Sequence, residues 1–286
     1  MTPDAVATFE AERPRLIGLA YRIIGSQTDA EDIVQDAWLR WQGTDRDVVE
    51  RPAAWLTTVT SRLALDRLRS AHHRREQYPG PWLPEPWAPG ADPADHAEQA
   101  DSLTFGFLTV LERLGPIERV VFLLAEVFDM PLAEIAEVVN RSHAATRQIA
   151  SRARTRVRAE RTRFATNDEA AQLALIAFLA AAQDGDLDQL IAMLSEDAVL
   201  VSDGGPDTHA ARRPVVGADR IARFVANLAK RIPPDQSFEL TTLNGVPGLI
   251  VRGQQGPADL ALAVERDATG IHHLYAVLNP TKLQHL

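Results

Sequence analysis

No cysteine occurs in the 286 residues. Disulfides, thiolate nucleophiles and cysteine-ligated metals are excluded together. Lysine is nearly absent too: only Lys230 and Lys282 stand among the 30 basic residues, so positive charge is almost entirely guanidinium. No apolar run approaches the roughly 20 residues that a membrane-spanning helix needs. The opening MTPDAVATFEAERP lacks the basic-then-apolar pattern of a secretion signal. A cytoplasmic chain with no membrane partner is the expectation. A net positive charge is also missing: 39 acids against 30 bases leave −9, which argues against a protein that coats nucleic acid.

The average conceals segregation. Residues 76–100 carry five acids and no base, and residues 165–286 carry fifteen acids against nine bases. From Arg141 to Arg163 there are eight arginines and one acid, Glu160; from Arg51 to Arg75 there are six arginines, one acid and the pair His72–His73. Local patches, not the total, govern contact with nucleic acid. Adjacent residues on a helix point about 100° apart, and no third ligand stands near the two histidines, so no metal site is expected there.

The stretch DMPLAEIAEVVNRSHAATRQIASRARTRVRAERTR, Asp129 to Arg163, predicts a short helix, a turn and a long basic helix. Pro131 sits just inside a helix start with Asp129 as its cap, Asn140 takes the turn, and Ser142 caps the second helix. Ala145, Ile149, Ala153 and Val157 repeat every four residues and are expected to form the buried stripe. His143, Arg147, Gln148, Ser151, Arg152, Arg154 and Arg156 fall mostly away from it. A basic, hydrogen-bonding face on the second helix of such a unit suits the DNA major groove.

Upstream, residues 5–25 read as a helix stopped by Gly25. Thr28-Asp29-Ala30-Glu31 reads as a capping box opening a second helix, with Trp38 expected in the core and Asp29, Asp32, Gln35, Asp36 and Arg40 on the opposite face. That acidic face is a candidate protein-docking surface. Pro52 opens a third helix whose buried side is read as Trp55, Leu56, Val59, Leu63 and Leu68. Thr57, Thr58, Ser61, Arg62, Asp66, Arg67 and Arg69 are read as exposed. Six prolines between Pro79 and Pro93 predict an extended linker. Trp82, Leu83 and Trp87 are costly to leave in water, so this linker is expected to dock on a domain surface. Helices at Leu103–Leu114 and Ile117–Phe128 precede the basic unit. After Phe164 come helices at 168–182, 187–194 and 218–231, and strands at 198–201, 238–243, 246–252, 258–266 and 270–277. Helices followed by antiparallel strands predict an α+β domain with a curled sheet and an apolar cavity.

Residues 9–75 and 103–163 resemble regions 2 and 4 of extracytoplasmic-function sigma factors, the minimal two-domain initiation subunits of bacterial RNA polymerase. YRIIGSQTDAEDIVQDAWLRW, Tyr21 to Trp41, is similar to the region 2 segment that binds the polymerase core. RPAAWLTTVTSRLALDRLR, Arg51 to Arg69, is similar to the segment that melts and reads the −10 element, and the helix from Ser142 resembles the −35 recognition helix.

The resemblance implies four parts: 1–75, region 2; 76–100, the acidic linker; 101–164, region 4; and 168–286, a SnoaL-like (NTF2-like) domain. The implied fold class is two all-α domains followed by an α+β NTF2-like domain of cone shape. The implied partners are the clamp helices of the largest polymerase subunit, met by Asp29, Asp32, Gln35, Asp36 and Arg40, and promoter DNA. Arg62, Arg67 and Arg69 would serve −10, and the helix from Ser142 would serve −35.

Members with such a tail carry a WLPEP motif, here Trp82-Leu83-Pro84-Glu85-Pro86. They also carry a DGGG-type motif, here Asp203-Gly204-Gly205 with Pro206 in place of the last glycine. A third, NPDKL-type motif is here Asn279-Pro280-Thr281-Lys282-Leu283. These imply a regulatory contact between linker and tail, which the Pro206 and Thr281 departures would weaken. SnoaL-like relatives include enzymes; Asp203, His209, His272 and His273 are the available groups, and a working pair must converge on one pocket. No enzyme, catalytic residue, metal or cofactor is expected, and a small-molecule ligand in the C-terminal cavity is. A polymerase-independent DNA-binding regulator with a ligand-sensing domain is the alternative reading of the same helices.

Overall fold

The computed structural model describes residues 3–45, 48–75, 78–88, 104–160, 169–233, 235–254 and 256–286. The expected helix starts at Leu103 and Asp168, prolines 89 and 93, and Arg161 and Arg163 lie outside the described residues. The chain divides into two compact units. One comprises Met1–Gln77, Ala97–Ser102 and Val110–Thr162; the other comprises Tyr78–His96, Leu103–Thr109 and Arg163–Leu286.

The first unit is helical: α1 (Pro3–Ile24), α2 (Gln27–Gln42), α3 (Pro52–Arg75), the end of α4 (Phe105–Glu112), α5 (Pro116–Glu126), α6 (Leu132–Val139) and α7 (His143–Glu160). Gly25 ends α1 at φ 73°, a left-handed conformation glycine adopts without strain. The cap of α2 is Ser26, whose hydroxyl accepts from the Asp29 amide at 3.1 Å, so the helix begins two residues before the Thr28 box predicted from sequence. Trp41 is buried, its indole donating to the Ala5 carbonyl at 3.1 Å, while Trp38 is half-buried against Phe9. On α3, Thr57 and Ser61 are buried rather than exposed. Thr57 bonds back to the Ala53 carbonyl at 2.7 Å and accepts from Arg15 at 2.7 Å. A small hydroxyl that satisfies itself on its own helix can enter the interface with α1.

In the helical pair α6–α7, Pro131 is itself the cap of α6, and Asp129 lies before it at φ 47° rather than capping. Asn140 takes the left-handed turn at φ 53°, and Ser142 accepts from the Ala145 amide at 3.2 Å, as the sequence predicts. The buried stripe of α7 is Thr146, Ala150, Ala153 and Val157, with Ala145 and Ile149 only half-buried. A period of four drifts from the 3.6-residue helix, so a strict four-residue reading misplaces the first two turns.

The unit also buries an ionic cluster. Glu112 accepts from Arg75 at 2.6 Å and from Arg119; Arg75 also donates to the Ile24 carbonyl, and Arg119 to the Arg22 carbonyl at 3.1 Å. Burial by itself would raise the Glu112 carboxyl, but the Arg119 and Arg75 charges and hydrogen bonds outweigh it and hold it below its ordinary value.

The second unit stacks α8 (Glu169–Asp184), α9 (Leu187–Met193) and α10 (Ala218–Ala229) on one face of a six-stranded sheet. The strands are β1 (Leu194–Asp203), β2 (Val215–Val216), β3 (Ser237–Leu243), β4 (Val246–Arg252), β5 (Ala258–Asp267) and β6 (Gly270–Val277), in the order β2-β1-β6-β5-β4-β3. All neighbours are antiparallel except β1 and β6, which run parallel.

The sheet corrects the expected fold class. It is open, with β2 and β3 as unpaired edges at opposite ends, and is not the curled, cone-shaped sheet predicted. The physical reason lies on its second face. Leu83, Phe105 and Leu283 pack there against Ile250, Ala261, Ala263, Tyr275 and Val277. The linker and the C-terminal turn cover that face, so the sheet buries both sides without closing on itself.

Because the Glu112 carboxyl is held down in the folded state, its contribution is full above its unfolded value and is lost as pH falls through the folded one. Glu112→Gln should cost on the order of 3 kcal/mol at pH 7. The difference from the unsubstituted protein should shrink below about pH 4. Urea unfolding at both pH values checks this, and an equal gap at the two would contradict it.

Candidate nucleic-acid interface and linker clamp

Helix α7 spans about 27 Å at 1.5 Å per residue. Arg147, Gln148, Ser151 and Arg152 lie exposed one turn apart, and His143 is exposed at its start. Arg147, Gln148 and Arg152 have no partner among the described residues. Two arginines on the same helix are engaged: Arg154 donates to Glu126 at 2.5 and 3.0 Å, and Arg156 to Glu118 at 2.7 Å, both acids belonging to α5. The hydrogen bond and charge of Glu126 raise the Arg154 guanidinium. The face thus divides into unpaired groups toward its first half and internally paired cations toward its second.

A similar division appears on α2 and α3. Asp32, Gln35, Asp36 and Arg40 are exposed and Asp29 half-buried. Arg67 donates to Asp29 at 2.6 and 2.9 Å and to Asp32 at 3.3 Å, joining a residue expected at DNA to two expected at a protein partner. Arg69 pairs with Asp66 at 3.1 Å. Arg62 donates to the Glu137 carbonyl at 2.8 Å, and Arg51 pairs with Glu134 at 2.8 Å. The Glu137 carbonyl belongs to the last turn of α6, where carbonyls have no intrahelical donor and a cation is favoured. Arg51, just before α3, and Arg62, near its middle, therefore hold α6.

The three linker and tail motifs meet at one point. Asp203, fully buried at the end of β1, accepts from the Tyr78 hydroxyl at 2.5 Å and the Gly205 amide at 3.0 Å on one oxygen. Its other oxygen accepts from the Leu83 amide at 2.8 Å and Lys282 Nζ at 2.7 Å. Lys282 also donates to the Leu83 carbonyl at 2.5 Å and lies 4.0 Å from the Trp82 ring centroid. Asn279 donates to Tyr78 at 2.8 Å and caps the turn Pro280–Lys282 through the Thr281 amide.

The two glycines of this motif are sterically required. A Cβ on Gly204 would stand 2.4 Å from the Thr208 carbonyl, and one on Gly205, at φ 65°, would stand 2.8 Å from the Asn279 side chain. Pro206 and Thr281 are both exposed. Leu83, Pro84, Glu85 and Pro86 are buried, and Trp87 and Asn244 exchange backbone and side-chain bonds at 2.8 and 2.9 Å. Farther on, the Gly106 amide donates to Glu265 at 2.9 Å. Both flanks of the stretch 89–103 are thereby fastened to the same sheet.

Sequence reading missed Tyr78, Asn244 and Glu265. A glycine-flanked Asn244 at φ 51° was a legible turn signal; nothing marked the other two. Burial, then the hydrogen bond and charge of Asp203, push the Tyr78 phenol well above its ordinary value.

The four groups considered for catalysis do not converge. Asp203 pairs in register with Val277, whereas His273 pairs with Val199, four residues or about 13 Å along β1. His209 is exposed at a separate cavity of about 630 Å³ lined by Phe178, Leu200, Phe224, Leu249, Leu262 and Leu274 among others, with no charged side chain in its wall.

Comparison with known proteins identifies the helical segments. Residues 8–74 match the family Sigma-70 region 2, and residues 105–157 match Sigma-70, region 4. The chain is 44% identical over 257 residues to the "ECF RNA polymerase sigma factor SigJ" of Mycobacterium tuberculosis, covering 88% of this chain and 82% of that protein. It is 33% identical over 288 residues to the "Probable ECF RNA polymerase sigma factor SigI" of the same species, covering 98% and 95%. The crystal structure of the M. tuberculosis extracytoplasmic function sigma factor SigJ superposes with a TM-score of 0.77 at 38% identity over 97% of each chain.

Removing one member of the buried pair leaves the other charge uncompensated, which costs about 3–5 kcal/mol. Asp203→Asn and Lys282→Met should each speed proteolytic cutting within residues 78–88. The double variant should be milder than either single one, since no lone charge remains. A double variant as severe as the sum of the singles would refute coupling.

Proposed function

This chain belongs to the extracytoplasmic-function sigma factors of RNA polymerase, and on that footing we propose how its parts divide the work of promoter recognition. Residues 1–75 act as region 2 and residues 101–164 as region 4, joined by the acidic stretch 76–100. The α2 face of Asp29, Asp32, Gln35, Asp36 and Arg40 docks on the clamp helices of the largest polymerase subunit. Arg62, Arg67 and Arg69 follow the unpaired −10 strand, where arginines track phosphates and bases stack on protein. Helix α7 enters the major groove at −35. Arg147, Gln148 and Ser151 read bases, Arg152, Arg154 and Arg156 hold phosphates, and His143 lies at the entering end.

The observation that carries this reading is the unpartnered polar surface of Arg147, Gln148 and Arg152 on the second helix of a turn unit. Groups left without internal bonds are available to base edges. The paired cations Arg67, Arg154 and Arg156 stand in exposed ion pairs worth about 0–1 kcal/mol. Phosphates can displace such carboxylates at little cost.

Residues 168–286 form the regulatory part, SnoaL-like in its three motifs though open in its sheet. Trp82 to Pro86, Asp203 to Gly205, Asn279, Pro280, Lys282 and Leu283 make the contact through which it acts. With the tether fastened on both sides of 89–103, regions 2 and 4 cannot draw apart as a promoter's two elements require. Release of the clamp frees the tether. The charge-free cavity is the place for an uncharged small effector.

Arg147→Ala should lose about 1–3 kcal/mol on a matched promoter and far less on scrambled DNA, whereas Arg156→Ala should lose similar amounts on both. Promoter binding with core polymerase measures this; equal losses would remove Arg147 from base reading. In transcription with purified core polymerase, Asp203→Asn/Lys282→Met should differ in initiation rate from the unsubstituted chain. Identical rates would refute regulation through the clamp.

A further inference from the structure

The sheet brings together three metal-ligating side chains far from the clamp. Glu265 on β5 is the register partner of His273 on β6, so the two share a face as direct cross-strand neighbours. His272 would point to the other face by strand alternation. The pairing is irregular on both sides of it, however: against β5 the register steps from Glu265–His273 to Arg266–Ile271, which leaves His272 as the extra residue, and against β1 it shifts between Leu194 and Val199. The His272 ring turns so that its Nδ1 stands 2.8 Å from His273 Nδ1. One ligand atom from each of Glu265, His272 and His273 falls within 4.8 Å of the others.

We propose that Glu265, His272 and His273 form a binding site for one divalent first-row transition metal ion, with zinc or a chemically similar ion as the occupant. Two imidazole nitrogens and one carboxylate oxygen are the donor set that borderline ions favour. With metal–nitrogen bonds of about 2.1 Å in tetrahedral geometry, neighbouring ligand nitrogens stand about 3.4 Å apart, so the two Nδ1 atoms, now 2.8 Å apart, would open slightly to admit an ion.

The surroundings match a metal site in two further respects. Glu265 is nearly inaccessible to solvent, and no cationic side chain bonds it among the described residues, so a metal ion would meet no competing positive charge there. The Gly106 amide at 2.9 Å and the Tyr275 hydroxyl at 3.4 Å both donate to the carboxylate and fix its orientation, as outer-shell donors do for ligands. On the side toward β1, His273 is only half-buried, so water can complete the shell. The buried Ser195 hydroxyl, without a partner among the described residues, belongs to the β1 irregularity. An ion here would fasten β5 to β6 and hold Glu265 ionised beneath Gly106, at the docked flank of the tether.

The test uses the untagged full chain, stripped with chelator and titrated with Co²⁺ and then Zn²⁺, read by cobalt absorption and calorimetry. One equivalent should bind, and zinc should displace cobalt. His272→Ala/His273→Ala should weaken binding by more than about 100-fold, beyond the range expected for an outer-shell partner, and Tyr275→Phe by about tenfold. Glu265→Gln keeps an acceptor for Gly106 and so preserves the fold. It should weaken binding by a like amount to the histidine variant, and it decides the matter if that variant does not fold. Binding that survives Glu265→Gln, or that is lost instead in His72→Ala/His73→Ala, overturns the proposal, as does an unsubstituted chain that takes up no cobalt.

Discussion

A single buried ion pair sets the terms for the C-terminal half of the molecule. Lys282 is one of only two lysines, and it is buried. Its ammonium is compensated by a carboxylate from the end of β1, a carbonyl from the linker and the face of Trp82. Asp203 in turn takes donors from Tyr78, Leu83, Gly205 and Lys282. Neither charge is satisfied unless three separated stretches of sequence are together, and a buried charge without its partners is far costlier than a broken surface bond. The contact is accordingly all-or-none: the linker is held at Tyr78, Trp82 and Leu83 together.

The helical half follows the opposite rule. Its charged contacts are mostly exposed, individually weak and easily exchanged. Arg67 rests on Asp29 and Asp32, Arg154 on Glu126, and Arg156 on Glu118. These pairs order long arginine side chains on the surfaces proposed above for a polyanion or a protein partner. Among the described residues of this half, only the Glu112 cluster, with Arg75 and Arg119, is buried deeply enough to act as a structural anchor. One half of the molecule thus uses charge to lock and the other uses it to be exchanged.

Much of this was legible from the residues. The turn at Asn140, the cap at Ser142, the Pro52 helix start and the C-terminal strands all carried local signals, and the family segments fell on the helices that fold as expected. What failed did so for non-local reasons. The α7 stripe was shifted because a four-residue spacing only approximates the helical repeat. Thr57 looked solvated because a hydroxyl's bond to its own helix is invisible in composition, and Ser61 because a small hydroxyl buried without a partner among the described residues carries no local signal. The sheet was expected to curl because the linker's apolar residues were read as part of a separate segment, when they supply the cover for its second face. The histidine–glutamate cluster depends on two strand irregularities that no periodicity announces.

The order in which the clamp's parts are synthesised has a consequence for the newborn chain. Lys282 follows Leu83 by 199 residues, and at about 5–20 residues per second roughly 10–40 s separate their emergence from the ribosome. During that interval β1 also lacks β6, its parallel neighbour. Every new copy therefore passes through a stage in which its helical portion is complete and its tether is unrestrained, and restraint arrives only with the final strand and turn.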